Sequence, residues 1–167
     1  MRELWRVNAE AVRTAITKSG IERKDIAGVS FSGHGKGLYM VDADGKPSYN
    51  GILSTDARAW AYVKKWKEDG TAKKIYGKTF QEILACQPVS ILAWLKDHEP
   101  EAYARTKYVF AVKDYIRFCL TGEANADYTD FSGGNLINMV TGAYDRELLE
   151  DFGIGEVYDK LPPLVHS

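Results

Sequence analysis

The stretch Gly28-Val29-Ser30-Phe31-Ser32-Gly33-His34-Gly35-Lys36-Gly37-Leu38-Tyr39-Met40-Val41 limits the possible folds of this chain more than any other. It reads as a short apolar strand, a sharp turn and a second apolar strand. Glycines at 33, 35 and 37 weaken a sheet and offer no side chain to pack, so their use is to let another backbone or a ligand come close. Two readings stay open on these residues alone. One is a tight strand connection with a solvated histidine and lysine. The other is a polar-substrate site at the end of a strand.

The rest of the chain predicts an α/β fold. Leu4, Val7, Ala11, Val12, Ala15 and Ile16 recur at helical spacing, and Ser19-Gly20 ends that helix. Ile26 to Ser32 is predicted as the first strand, apolar enough to be interior. Leu38 to Asp42 is the second, and Asp44-Gly45 marks a hairpin that returns over Pro47 to Ile52. A helix is expected after Thr55 or Asp56 as N-cap, with Gly70 as its stop. Glu82 to Cys86 reads as a short ordered segment. Pro88 opens a helix to Lys96, Tyr108 to Val112 is a strand, and Tyr115 to Leu120 a helix stopped by Thr121-Gly122. Asn125 to Gly134 is turn-rich, and a last helix carries Leu148, Leu149 and Phe152. A sheet of two or three strands is thin for 167 residues, and an opening helix with no strands before it suggests that partner strands are missing.

Bulk properties narrow the partners. A hydrophobic share of 45%, a charged share of 27% and a net charge of −1 are those of an ordinary globular domain. Lysines and arginines never run beyond pairs, so neither nucleic acid nor an anionic membrane is indicated. No apolar stretch approaches the roughly 18 residues of a membrane span, and the N-terminus has no secretory apolar region. Cys86 and Cys119 have no paired spacing and read as two buried thiols of a reducing compartment, so the expected location is the cytoplasm.

Phosphate-binding glycine loops, zinc motifs and the serine-hydrolase elbow are absent, and His34, His98 and His166 are too scattered for a metal site. Three polar clusters remain. They are Ser32, His34 and Lys36 at the turn; Ser54-Thr55-Asp56-Ala57-Arg58; and Asp127-Tyr128-Thr129-Asp130-Phe131-Ser132-Gly133-Gly134. Asp56 also fits a plain helix cap, and the third cluster fits Asx-turn chemistry. Together such carboxylates, hydroxyls and amides are groups that grip sugar hydroxyls, which both donate and accept.

Five segments in order resemble the N-terminal domain of the FGGY carbohydrate kinases. They are Ser32-Gly33-His34-Gly35-Lys36-Gly37, Gly51-Ile52-Leu53-Ser54-Thr55-Asp56-Ala57-Arg58, Trp94-Leu95-Lys96-Asp97-His98, Lys113 to Glu123, and Asp127 to Ser132. Within the family the likeness is greatest to L-xylulose (3-keto-L-gulonate) kinases, and it covers residues 2 to 166. The resemblance implies an actin-like, ribonuclease-H-like N-terminal domain, truncated at its start, with the C-terminal domain absent. It implies ATP-dependent phosphorylation, with Mg²⁺, of a ketopentose such as L-xylulose. It also implies substrate contacts at His34, Gly35, Lys36, Asp56, Arg58 and Gln87.

This sequence departs from the family at Ser54, where a tryptophan is usual. It departs at Cys86, where glycerol kinases place a substrate tyrosine that Gln87 could replace, and at Ile91, where a lysine is usual. The family's nucleotide-phosphate motif and its general-base aspartate have no match here. The resemblance therefore implies no catalytic residue, no metal ligand and no nucleotide site in this chain. Such a chain is expected to be inactive alone. The alternatives are a non-catalytic sugar-binding module or a gene remnant. Without its first strands it is also expected to self-associate through an open sheet edge.

Overall fold

A computed structural model describes residues 1–166. Helix α1 (Arg2–Ser19) ends as expected on Gly20, in the left-handed conformation. After a short 3-10 turn at Arg23–Asp25 the chain runs without regular structure to β1 (Tyr39–Val41). The helices α2 (Trp60–Glu68), α3 (Thr71–Thr79), α4 (Pro88–His98) and α5 (Pro100–Arg105) follow. Next come β2 (Tyr108–Phe110), α6 (Val112–Thr121), β3 (Ala126–Asp127) and the single turn α7 (Tyr128–Phe131). The chain closes with β4 (Ile137–Asn138), β5 (Ala143–Tyr144), α8 (Arg146–Asp151) and β6 (Leu164–Val165).

The strands pair in twos. β1 runs antiparallel to β2 with Tyr39 opposite Phe110, β3 parallel to β6, and β4 antiparallel to β5. The predicted hairpin forms: Leu38 bridges Ile52, Val41 bridges Pro47, and Asp42 and Lys46 close the turn. α4 is the centre of the main core. Val89, Ile91, Leu92, Ala93 and Leu95 are all buried, as a helix apolar on most of its surface requires. Trp66, Ile75, Leu148, Leu149 and Phe152 pack in the same cluster. A second, smaller cluster joins Tyr39, Val41, Phe110, Tyr115 and Ile116 to Met1 and to Leu4 and Trp5 of α1.

Four expectations need correction and a fifth, the stop at Gly70, holds with an addition. Ile26 to Ser32 is not a strand: no described strand pairs with it, and Val29 is 60% exposed. An apolar run with no ladder partner leaves its amides to water, and the pairing rather than the composition makes a strand. Helix α2 starts at Trp60 rather than beside Asp56, whose carboxylate accepts from the amide and the guanidinium of Arg58. Gly70 does end α2, but a new helix begins at once, its first amide (Thr71) donating to Asp69. Cys86 and Cys119 are free but only half-buried. Glu82 to Cys86 has no regular structure.

Candidate functional site

Gly37 is the joint on which the site is built. Its amide donates to the Cys86 carbonyl at 2.9 Å. A Cβ there would lie 2.5 Å from the Ile52 carbonyl oxygen and 3.2 Å from Leu53 C, and its φ is +71°. Only glycine combines that φ with that approach. The glycine turn, the hairpin return and the entry to α4 therefore meet at one residue. The next turn places Asp56, whose amide donates to the Leu53 carbonyl.

Lys36, one residue earlier, holds φ at +64° without being glycine. A side chain in the left-handed region costs about 1 kcal/mol or more, and functional sites are where such costs persist. His34 is tied within the loop. Its Nε2 lies 3.0 Å from the Tyr39 hydroxyl and its Nδ1 3.3 Å from the Gly35 carbonyl oxygen.

Asp56 and Arg58 form one unit. The Asp56 carboxylate accepts from Arg58 Nε and Nη2 and from the Arg58 amide, each at 2.9 Å. Those bonds to Arg58 hold the Asp56 carboxyl below the usual range. The far side of the guanidinium reaches the Tyr49 hydroxyl at 3.4 Å and lies over the Trp94 ring.

Gln87 is 2% exposed and its polar atoms are all used inside the protein. Oε1 accepts from the Leu84 amide and from Asn135 Nδ2, each at 2.7 Å, and Nε2 donates to the Gly133 carbonyl at 3.0 Å. It ties the entry of α4 to the turn-rich segment after α7. That segment comes back to the loop: Lys36, Gly37, Pro88, Asp130 and Phe131 line a crevice of only about 10 Å³.

Asp127 and Asp130, of the third polar cluster, stand beside the loop together with Lys113, which lies outside the three clusters. Lys113 Nζ is 3.1 Å from Asp127 Oδ2 and 4.0 Å from Asp130 Oδ2. Asp130 Oδ1 lies 3.6 Å from where a Cβ of Gly35 would stand. Burial raises the Asp130 carboxyl, and Lys113 opposes that shift. Asp127 caps α7 through the Thr129 and Asp130 amides. Beneath them Asp114, 1% exposed, accepts the Asp127 amide on both oxygens at 3.2 Å and pairs with Arg117 at 3.1 Å. The sequence signal for this network is weak, because Lys113 of α6 meets acids that lie 14 and 17 residues further along the chain, in β3 and α7.

Among the described residues no group of three or more His, Cys, Asp and Glu side chains could hold a metal ion. The acids nearest the loop already face Lys113. No described helix is long and apolar enough to cross a membrane.

Comparisons with known proteins identify the family. The family described as FGGY family of carbohydrate kinases, N-terminal domain, matches residues 1–167. The chain is 43% identical over 167 residues to L-xylulose/3-keto-L-gulonate kinase of Escherichia coli, covering all of this chain and 34% of that protein. It is 42% identical over 165 residues to a probable L-xylulose kinase of Pasteurella multocida, covering 99% and 34%. It thus spans about a third of the length of these relatives. Among solved structures, the ligand-bound xylulose kinase of Lactobacillus acidophilus superposes with TM-score 0.84 at 29% identity, covering 96% of this chain and 33% of that one. A gluconate kinase of the same organism superposes with TM-score 0.79 at 30% identity, covering 88% and 29%. The fold is that of the actin-like sugar kinases, and the chain belongs to the FGGY family of carbohydrate kinases, matching its N-terminal domain.

Proposed function

We propose that this chain forms the sugar-binding wall of an ATP-dependent kinase acting on a ketopentose-type sugar, L-xylulose or a near relative. The observation that carries the reading is the convergence on Gly37 of the His34–Lys36 loop, the Ile52-Leu53 return and the Cys86 carbonyl. Kinship with L-xylulose kinases supports the sugar class. Gly35 and Lys36 offer a backbone and an ammonium to hydroxyls, and the Asp56–Arg58 unit adds a fixed charged edge.

Phosphoryl transfer needs metal-bound phosphates, an oriented acceptor and a base. Of these parts the chain offers only groups for the acceptor. Asp127 caps α7 and, with Asp130, faces Lys113, and the reading gives neither acid the role of the base. The isolated chain therefore binds sugar weakly and does not phosphorylate it. In the longer protein ATP and Mg²⁺ would meet the acceptor from elements outside these residues.

Isothermal titration with L-xylulose, D-xylulose and glycerol, beside a coupled assay for ADP, tests the reading. Heat with the ketoses and none with glycerol, without sugar-dependent ADP, is expected. Absence of heat with every ketose at tens of millimolar, or sustained ADP formation, overturns it.

A further inference from the structure

Tyr39 stands where the smaller core meets the glycine loop. Its ring is 3% exposed and stacks on Tyr115, with centroids 6.0 Å apart and planes at 16°. A Cβ at position 51 would lie 2.6 Å from Tyr39 Cε1, so Gly51 leaves the room this ring occupies. The ring is thus held on two sides before its hydroxyl makes any bond.

That hydroxyl is 3.0 Å from His34 Nε2, and the other ring nitrogen of His34 is 3.3 Å from the Gly35 carbonyl oxygen. A carbonyl oxygen only accepts. A neutral imidazole donates through one nitrogen and accepts through the other. One tautomer alone satisfies both contacts: the proton sits on Nδ1 and donates to Gly35, while Nε2 accepts from the Tyr39 hydroxyl. Burial raises the Tyr39 phenol above the ordinary tyrosine range, which keeps it a donor. Neutral histidine in water prefers the opposite tautomer, with its proton on Nε2.

We propose that Tyr39 is the positioning residue of the glycine loop: it holds His34 as the Nδ1–H tautomer, which fastens the Gly35 carbonyl and so fixes Lys36 in its left-handed conformation for the sugar. The claim that this matters for sugar rests on the function proposed above, whereas the tautomer is a property of the chain itself. Lys36 is set by the two residues before it, and those are set by a ring in the core.

Nitrogen-15 NMR of the histidine side chains, in mildly alkaline solution, reads the tautomer directly. His34→Gln assigns the His34 signals. The wild-type chain should show a protonated Nδ1 and a bare Nε2 on His34. In Tyr39→Phe, which keeps the ring and its stacking, the pattern should move toward Nε2–H. Gly51→Ala, whose Cβ pushes the ring aside, should do the same by a second route. A wild-type ring protonated on Nε2, or a pattern unchanged in both variants, overturns the proposal. Titration with L-xylulose supplies the second arm, in which Tyr39→Phe should weaken binding by about three- to ten-fold, the worth of one hydrogen bond. Undiminished binding with a switched tautomer also overturns it. If the wild-type chain takes up no ketose, the sugar reading fails while the NMR result still decides the role of Tyr39.

Discussion

The guanidinium of Arg58 lies 4.8 Å from the centre of the Trp94 ring while Nε and Nη2 each reach an oxygen of Asp56 at 2.9 Å. A planar cation can do both at once; an ammonium cannot. Arg58→Lys should therefore behave as a loss, not a conservative change. Both side chains are partly exposed (30% and 19%), so the stability cost is modest, about 1 kcal/mol, after allowing for solvent screening. Ketose affinity should fall further than stability, because the fork geometry of the site edge is gone. Urea unfolding beside calorimetric titration of the same variant separates the two effects.

Lys36 gives a cleaner separation. Its backbone sits at φ +64°, where glycine is at ease and lysine is not. Lys36→Gly relieves that strain but adds freedom to the unfolded chain, so stability should change by less than about 1 kcal/mol. Lys36→Ala keeps the strain. Both remove the ammonium, and both should lose ketose binding to the same degree. Thermal melts and titrations of the pair check this; binding retained in either variant would remove Lys36 from the site.

Asp114 should make part of the stability depend on pH. Burial lifts its carboxyl from the ordinary 3.8 to about 6, against the opposing pull of the Asp127 amide and Arg117. The folded chain then holds this proton more tightly than the unfolded chain does. Its contribution is fully present below about pH 4 and is lost as pH rises through about 6. Over that window it amounts to about 3 kcal/mol. Asp114→Asn should flatten that fall, and comparing the two chains' unfolding free energies across the window isolates it from carboxyls shifted the other way, such as Asp56 and Asp145.

Much of the fold was legible because it rests on local chemistry. Pro88 begins α4, Gly20 and Gly122 end α1 and α6, and the Asp44-Gly45 turn closes its hairpin. What stayed hidden depends on partners distant in sequence. Ile26 to Ser32 has a strand's composition and no described strand beside it. Gly70 does stop a helix, but a single Asp69 carboxylate starts the next. The glycine turn is conspicuous from its residues alone, whereas the binding of Gln87 to Asn135 and of Lys113 to Asp127 spans packed elements that no spacing announces.

The region around Ile26 to Ser32 carries a prediction about association. Val29 is 60% exposed, and with Phe31 it lines a cavity of about 570 Å³ bounded by α1 and α6. We expect copies of the chain to associate through this open segment, as unpaired apolar edges do. Sedimentation should give a mass that rises with concentration and a Val29→Lys chain that stays monomeric. A constant monomer mass for the wild-type chain contradicts this.

The central claim is that the glycine loop contacts the sugar, and amide NMR on the chain during L-xylulose addition tests it most directly. The account predicts that the signals of Gly33, Gly35, Lys36 and Gly37 move in a saturable way, with Arg58 following, while Gly77 and Gly153, which lie in α3 and after α8, stay still. Shifts concentrated away from the loop, or none at tens of millimolar sugar, would contradict it.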